Sequence, residues 1–415
     1  MVSIIKRPEL AERGREMFEW ALQHMPALVK IVEDYEAEQP LKGVRVGACL
    51  HITKETSVLM WALMRLGAKV ALCASNPLTT QDEIAAYLAK EGVEVFGWRG
   101  ESTDDYWAMI NYVIETKPQI VIDDGGDLHV TIHERRQDAL HNIVGGTEET
   151  TTGVIRLRAM ERAGRLRYPV IAVNDTPTKR IFDNTFGTGQ STVDGILRAT
   201  SLLVAGKTVV VCGFGYVGRG VARRFRGMGA NVIVTEVDPV KALEAHLEGF
   251  RVMPLMKAAP LGDIFVTCTG MKDVIRKEHM ERMKDGAILA NAGHFNVEIN
   301  IGDLESLAVE RRRIRGVIDE YRLRDGRRLY LIGEGRLVNL VAAEGHPPEV
   351  MMNSFSNQLL SIIYLWENRG KLENKVYNVP DELDRRVAMY ALRGWGIEID
   401  ELTEEQKKYW ESWKV

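Results

Sequence analysis

The feature that most constrains this chain is the run Val209-Val-Val-Cys-Gly213-Phe-Gly215-Tyr216-Val217-Gly218-Arg-Gly220, where a short apolar segment breaks into spaced glycines and then into helix-forming sequence. A strand feeding such a turn and helix is the phosphate-binding corner of a doubly wound α/β fold. Gly213 permits the tight turn and Gly215 lets the backbone approach a pyrophosphate. Gly218 lets the helix pack on the sheet with its first amides facing the anion. Asn231-Val-Ile-Val-Thr235 is a second apolar run, and it ends on Glu236, 23 residues beyond Gly213. That is near the spacing of about 20 for an acid that accepts a ribose hydroxyl, so NAD is expected over NADP, whose 2′-phosphate the acid would repel.

Strand and helix patterns alternate on both sides of this corner, which predicts an α/β protein with two doubly wound domains. The order of elements places a substrate-binding domain at 1–184, a Rossmann domain at 185–344, a return segment at 345–385 and a helical tail at 386–415. A helix is expected from Glu9 to Glu38, a ligand-facing loop from Gly145 to Gly153, a strand at Ile314–Ile318 and an amphipathic helix up to Trp366. Tyr409, Trp410 and Trp413 are expected either to cap a helix packing or to form an oligomer contact. Ligands in open α/β sheets sit at the carboxyl ends of strands, where His51, Asn76 and Asp124 fall.

Lys and Arg total 54 against 58 Asp and Glu, a net charge of −4, which disfavours a nucleic-acid partner. Four cysteines far apart in apolar runs read as free thiols of a reducing, cytoplasmic compartment. The sequence has neither a signal-like start nor a stretch of about 18 uncharged apolar residues, so no membrane partner is expected. No metal centre is expected either.

Several strings now become recognisable: Leu50-His51-Ile-Thr53-Lys-Glu55-Thr56, Asp123-Asp124-Gly-Gly-Asp-Leu128, Glu148-Glu149-Thr150-Thr151-Thr152-Gly153, Asn174-Asp-Thr-Pro-Thr-Lys179 with Phe182-Asp183-Asn184, Asn291-Ala-Gly-His294-Phe295, Glu334-Gly-Arg-Leu-Val-Asn339-Leu340 and Gly345-His346-Pro347. In this order, and nearly end to end, they resemble the adenosylhomocysteinase family. The resemblance implies a tightly held NAD, domain closure, a homotetramer and reversible cleavage of S-adenosylhomocysteine to adenosine and homocysteine. A transient 3′-ketone would acidify the C4′ proton and let sulfur leave from C5′.

By resemblance Lys179, beside Asp183 and Asn184, takes the 3′-hydroxyl proton, a role that requires its pKa to be lowered. Asp124 is implied as the C4′ base or its support, His51 and His294 as proton shuttles, and Glu149 as a holder of ribose hydroxyls. Glu148 could equally cap the helix that follows. Thr53 and Glu55 would face the base, although Thr-x-Glu also starts a helix. His346 and Met351 would line the same pocket. Thr150, Thr151, Thr152, Asn184, Asn291 and Asn339 would complete the cofactor site.

Thr188 stands where the family often has a cysteine, and Lys241 where an asparagine commonly holds the NAD ribose. Many members also have a longer C-terminal tail that reaches a neighbour's cofactor site, so NAD retention is expected to differ here. An S-inosylhomocysteine hydrolase, a net NAD-dependent dehydrogenase and a catalytically silent binding module are the competing readings.

Overall fold

The computed structural model describes residues 2–413, so Met1 and the last two residues of the expected tail lie outside the described residues. Among them, six strands form the first sheet with a seventh that returns from far along the chain. These are β1 (Arg45–Leu50), β2 (Lys69–Ala74), β3 (Glu94–Phe96), β4 (Ile120–Asp123), β5 (Gly145–Glu148) and β6 (Val170–Ala172). The second sheet holds β7 (Thr208–Cys212), β8 (Asn231–Thr235), β9 (Arg251–Val252), β10 (Ile264–Thr267), β11 (Ala287–Asn291), β12 (Ala308–Arg315), β13 (Ile318–Leu323) and β14 (Arg328–Ile332). The returning strand is β15 (Val376–Asn378), which pairs with β6.

Strand order in the first sheet is β15-β6-β5-β4-β1-β2-β3, all parallel. The order reverses between β1 and β4. In the second sheet, β12-β13-β14-β11-β10-β7-β8-β9, it reverses between β7 and β10. Crevices open at such reversals, because successive crossovers leave in opposite directions there. Apolar clusters cover both faces of each sheet, so the central strands are apolar throughout instead of alternating.

Several expectations are corrected. The expected helix from Glu9 to Glu38 is two helices, Ala11–Gln23 and Pro26–Tyr35. Pro26 has no amide hydrogen to continue the first helix but suits the first turn of the second. The expected loop at 145–153 is strand β5 followed by the helix Thr151–Arg162. Its glycines are set by packing: a β-carbon would stand 2.9 Å from Leu365 at Gly145 and 2.5 Å from His129 at Gly146. The expected strand at Ile314–Ile318 instead spans the end of β12, a turn at Gly316 and Val317, and the first residue of antiparallel β13. Arginine-rich β12 forms the exposed edge, where charge discourages further strand pairing.

The helix Pro348–Glu367 is buried nearly all round, including Asn353, Ser354, Asn357 and Gln358, so it is a core helix and not an amphipathic one. Asp381–Gly394 runs through the expected 385/386 boundary and packs on the helix Pro26–Tyr35, with the Tyr390 hydroxyl donating to Asp34 at 2.6 Å. Tyr409, Trp410 and Trp413 are 63%, 82% and 88% exposed, so none of the three rings is buried by a helix packing. No helix among the described residues is long and apolar enough to cross a membrane.

Candidate active site

Both reversal points open into one cavity of about 520 Å³. On the first sheet, the ends of β1 and β4 set His51 beside Asp124, with Nε2 3.5 Å from Oδ2. His294, from the loop after β11, brings Nδ1 to 3.9 Å from Asp124 Oδ1. It seats on Gly125, where a β-carbon would lie 2.5 Å from its ring; Gly125 also has φ +113°. Burial holds His51 down to about 4 against the pull of Asp124, and it lowers His294 in the same way. Both imidazoles are therefore neutral near pH 7 and each can donate and accept a proton. Asn76 does not reach the cavity: its carboxamide oxygen accepts the Leu78 amide hydrogen at 3.0 Å.

A second cluster surrounds Lys179. The segment Arg180–Thr188 is a π-helix, and Lys179 Nζ donates to Asp183 Oδ1 at 3.2 Å, Asn184 Oδ1 at 3.4 Å and Asn174 Oδ1 at 3.1 Å. A π-turn brings residues five apart together, so both Asp183 and Asn184 come into reach. Glu149 Oε1 is 3.9 Å from the same ammonium. Burial alone would lower the Lys179 pKa, but Asp183 and Glu149 outweigh it and the net direction is up. The lowered value that a base requires is thus absent in this arrangement. Glu149 accepts from Ser354 and, at 2.6 Å, from Gln358; burial raises it to about 7.

Around the expected base pocket, Thr53 caps the helix Lys54–Arg65 and also lines the cavity with Glu55. Burial raises Glu55 while Lys54, 3.1 Å away, opposes it. His346 lines the cavity but is not free. Its Nδ1 lies 3.3 Å from Asp183 Oδ2 and 3.1 Å from Met351 Sδ, and Nε2 lies 3.0 Å from Thr188 Oγ1. Thr188 therefore carries a hydrogen bond at the position where the family often has a thiol. Burial lowers the His346 pKa, yet Asp183 prevails and raises it.

The second sheet fits a dinucleotide. Gly213 turns at φ +98°, and a β-carbon on Gly218 would strike the Gly213 carbonyl at 2.0 Å. Gly215 faces open space where the helix Tyr216–Gly227 begins, with Tyr216 and Val217 on the cavity wall. Glu236 accepts from the Phe214 amide at 2.7 Å, which clamps the ladder. Lys241 is 3.7 Å from Asp238. Thr150, Thr151 and Thr152 line the cavity, as does Asn339, whose Oδ1 is buried without a partner: an acceptor left for a carboxamide such as that of nicotinamide.

Asn291 stands apart from the cavity lining. Its side chain donates to Gly293, Phe295 and Gly335 carbonyls at 3.0, 2.9 and 2.8 Å, so it mounts the loop that carries His294. Sequence reasoning missed several residues: Ser354 and Gln358, which hold Glu149; Arg156, which donates to Asp127 at 2.8 Å and to the Gly125 carbonyl; and Glu298, which accepts from Thr269 and Gly270 amides at 2.9 and 2.7 Å. The available signal was polar residues inside an otherwise apolar helix at 353–358.

Fold and site together define a two-domain α/β protein with a Rossmann cofactor domain and a cleft built for a small polar molecule. Two family models match: S-adenosyl-L-homocysteine hydrolase over residues 3–142, and the NAD binding domain of the same enzyme over 184–345. Relatives named adenosylhomocysteinase from Aeropyrum pernix and Sulfurisphaera tokodaii are 60% and 59% identical, over 98% and 99% of this chain and 97% and 98% of theirs. A Methanocaldococcus jannaschii relative named S-inosyl-L-homocysteine hydrolase is 55% identical over 98% of this chain and 97% of its own. The chain belongs to the S-adenosyl-L-homocysteine hydrolase family, and its cofactor is NAD.

Proposed function

We propose that this protein catalyses the reversible hydrolysis of S-adenosyl-L-homocysteine to adenosine and L-homocysteine through a transient 3′-ketone. The observation that carries this is the meeting, in one cavity, of the Lys179–Asp183–Asn184–Glu149 cluster with the His51–Asp124–His294 cluster. A thioether hydrolase that works by oxidation needs two sets of groups, one for the ribose hydroxyls and one for the C4′ and C5′ positions. Bound NAD supplies reversible hydride removal at C3′.

The glycine turn from Gly213 to Gly218 would hold the pyrophosphate and Glu236 the adenosine ribose. Thr150, Thr151, Thr152 and Asn339 would hold the nicotinamide end. Glu149 accepts the ribose hydroxyls, and Lys179, with Asp183 and Asn184 around it, handles the 3′-hydroxyl proton. Asp124 takes the C4′ proton or steadies the group that does, while neutral His51 and His294 pass a proton to sulfur or from water. Thr53, Glu55 and Met351 receive the base, and His346 ties that pocket to Asp183.

The reading extends to the domain division at 184/185 and 344/345, to a homotetramer supported by the exposed C-terminal aromatics, and to a cytoplasmic protein supported by four unpaired cysteines. The test is thiol release from S-adenosylhomocysteine and S-inosylhomocysteine in parallel. Thiol without net NADH is expected, with the adenine substrate preferred. NADH accumulating in step with product would make the protein a dehydrogenase, a preference for the inosine substrate would reassign the base, and NAD binding without thiol release would make it a binding module.

A further inference from the structure

Behind the reactive wall, and outside the cavity, Asp123 and Glu148 end the adjacent parallel strands β4 and β5 in register, so their side chains leave the sheet on the same face. Both are wholly buried. With His129 they bring three potential ligand atoms within 4.8 Å of one another, yet no ion fits the chemistry. His129 Nδ1 is engaged with the Tyr168 hydroxyl at 2.9 Å and Nε2 with the Thr147 carbonyl at 3.2 Å. Gly153 packs so closely that a β-carbon there would stand 2.1 Å from the Glu148 carboxyl carbon.

Hydrogen bonds account for three of the four carboxyl oxygens. Asp123 Oδ1 accepts the Asp124 amide at 3.0 Å and Oδ2 the His129 amide at 2.8 Å. Glu148 Oε1 accepts the Gly125 and Thr150 amides at 2.9 and 3.0 Å. Glu148 Oε2 is buried with no partner.

Among the described residues, a second negative charge here would face no free cation. Arg156 is committed to Asp127 and the Gly125 carbonyl, and Lys179 to Asp183 and Glu149. Asp124 and Asp127 add charge of the same sign. The other titratable neighbours are the Tyr106 and Tyr168 hydroxyls, the Cys49 and Cys73 thiols and His129, which burial pushes down to about 3 and so keeps neutral. Burial raises both carboxyls, and the charges of Asp123 and Asp124 raise Glu148 further.

We propose that Glu148 is protonated on Oε2 and donates that proton to the Asp123 carboxylate, so that the pair carries one negative charge and serves as the fixed mount for Asp124, Gly125 and Thr150. Every polar atom of the pair then has a partner. Asp123 and Glu148 are positioning residues, and their effect on turnover rests on the hydrolase reading above. The two amide replacements are not equivalent. In Glu148→Gln the carbonyl keeps both backbone bonds and the amide N–H replaces the acid O–H toward Asp123. In Asp123→Asn an NH₂ group must face a backbone N–H.

The folded pair keeps a proton that unfolded Glu148 loses in the ordinary carboxylate range. Stability is therefore lost as pH rises from that range through the folded pKa, and Glu148→Gln has no such proton to lose. The experiment measures kcat, thermal midpoint and the infrared carboxyl band against pH in NAD-loaded wild type, Glu148→Gln, Glu148→Ala and Asp123→Asn. Glu148→Gln should stay within about threefold of wild-type kcat at neutral pH, whereas Asp123→Asn and Glu148→Ala should lose about tenfold or more. Wild type should lose midpoint progressively from the ordinary carboxylate range up to the folded pKa, and lose kcat and a buried protonated-carboxyl band as pH passes that pKa, and Glu148→Gln should lack this alkaline limb.

A Glu148→Gln protein that is unfolded or as impaired as Glu148→Ala, an Asp123→Asn protein that is equally tolerated, an alkaline limb shared by wild type and Glu148→Gln, or no protonated band at neutral pH would each overturn the proposal. The thermal and infrared arms need no substrate. A wild type that hydrolyses nothing would sink the hydrolase reading alone.

Discussion

Lys179 is 3% exposed and surrounded by two carboxylates and two amide oxygens, so it stands as an ammonium among acceptors. What would release its proton is a positive charge entering the cleft, and an oxidised nicotinamide ring is such a charge. Lys179→Met should cut thiol release by about 10²–10⁴-fold, the range for loss of a proton-transfer group. It also strips a partner from Asp183, whose carboxyl Lys179 and His346 hold well below the usual range against its burial, so turnover must be read well below the variant's thermal midpoint. Near-normal thiol release there would show that the proton goes elsewhere. Glu149, at about 7, gives a second handle. If its ionised form receives the ribose, kcat/KM should rise with pH through that value. Ser354→Ala deletes a donor to the carboxylate, so the midpoint should move about half to one pH unit upward. An unmoved midpoint would assign the limb to another group. The polar residues that were expected at the cavity were legible because they lie in strings dense with polar groups and glycine, whereas Arg156, which also lines it, lies outside those strings. Ser354 and Gln358 were not, since they act on Glu149 from 205 and 209 residues away within a helix whose apolar side is what its periodicity reports.

At the scale of elements, the glycine ladder was readable because each glycine answers a local demand, and Gly220 shows how close that demand is. A β-carbon there would stand 2.0 Å from the Thr185 carbonyl oxygen, where the helix Tyr216–Gly227 crosses the π-helical segment carrying Asp183 and Asn184. Alanine gains about 1 kcal/mol of helix propensity over glycine. Overpacking against backbone, which cannot rotate away, costs about 1–3 kcal/mol or more. Gly220→Ala should therefore destabilise the protein and weaken NAD retention, whereas Gly227→Ala, with nothing within 4 Å, should be neutral or stabilising in the same denaturant titration. Equal behaviour of the two variants would refute the packing argument. Strand β5 was illegible for the complementary reason. Gly-Gly-Thr-Glu carries no apolar signal, because its space is taken by Leu365 and His129 from elements distant in sequence. The antiparallel edge β12–β13 was displaced in the reading because β12 carries a contiguous charged run, Glu310 to Arg313, with no apolar strand signal, and is held in the sheet by β13, which in turn pairs with β14.

Over the whole molecule, two chain crossings join the two sheets, one between β6 and β7 and one between β14 and β15, and an ion-pair chain lies at the second. Lys54 meets Glu344 at 3.1 Å, and Glu344 meets Arg198 at 3.3 Å. Glu344 is 59% exposed at its side chain, so this ion-pair chain contributes little stability. Both crossings were legible from the order of strand patterns, but what lies outside the chain was not. The helix Glu404–Glu411 buries no residue, and Tyr409, Trp410 and Trp413 present three large rings to solvent. Aromatic side chains contribute most to association where they become fully desolvated. If they seat against another copy of the chain, the double substitution Trp410→Ser and Trp413→Ser should lower the mass seen by sedimentation equilibrium from a tetramer to a dimer or monomer at micromolar concentration. The thermal midpoint of the separated subunit should change little, because neither ring is buried within the chain. An unchanged tetrameric mass would place the assembly on other surfaces, and a monomeric wild type would remove the tetramer altogether.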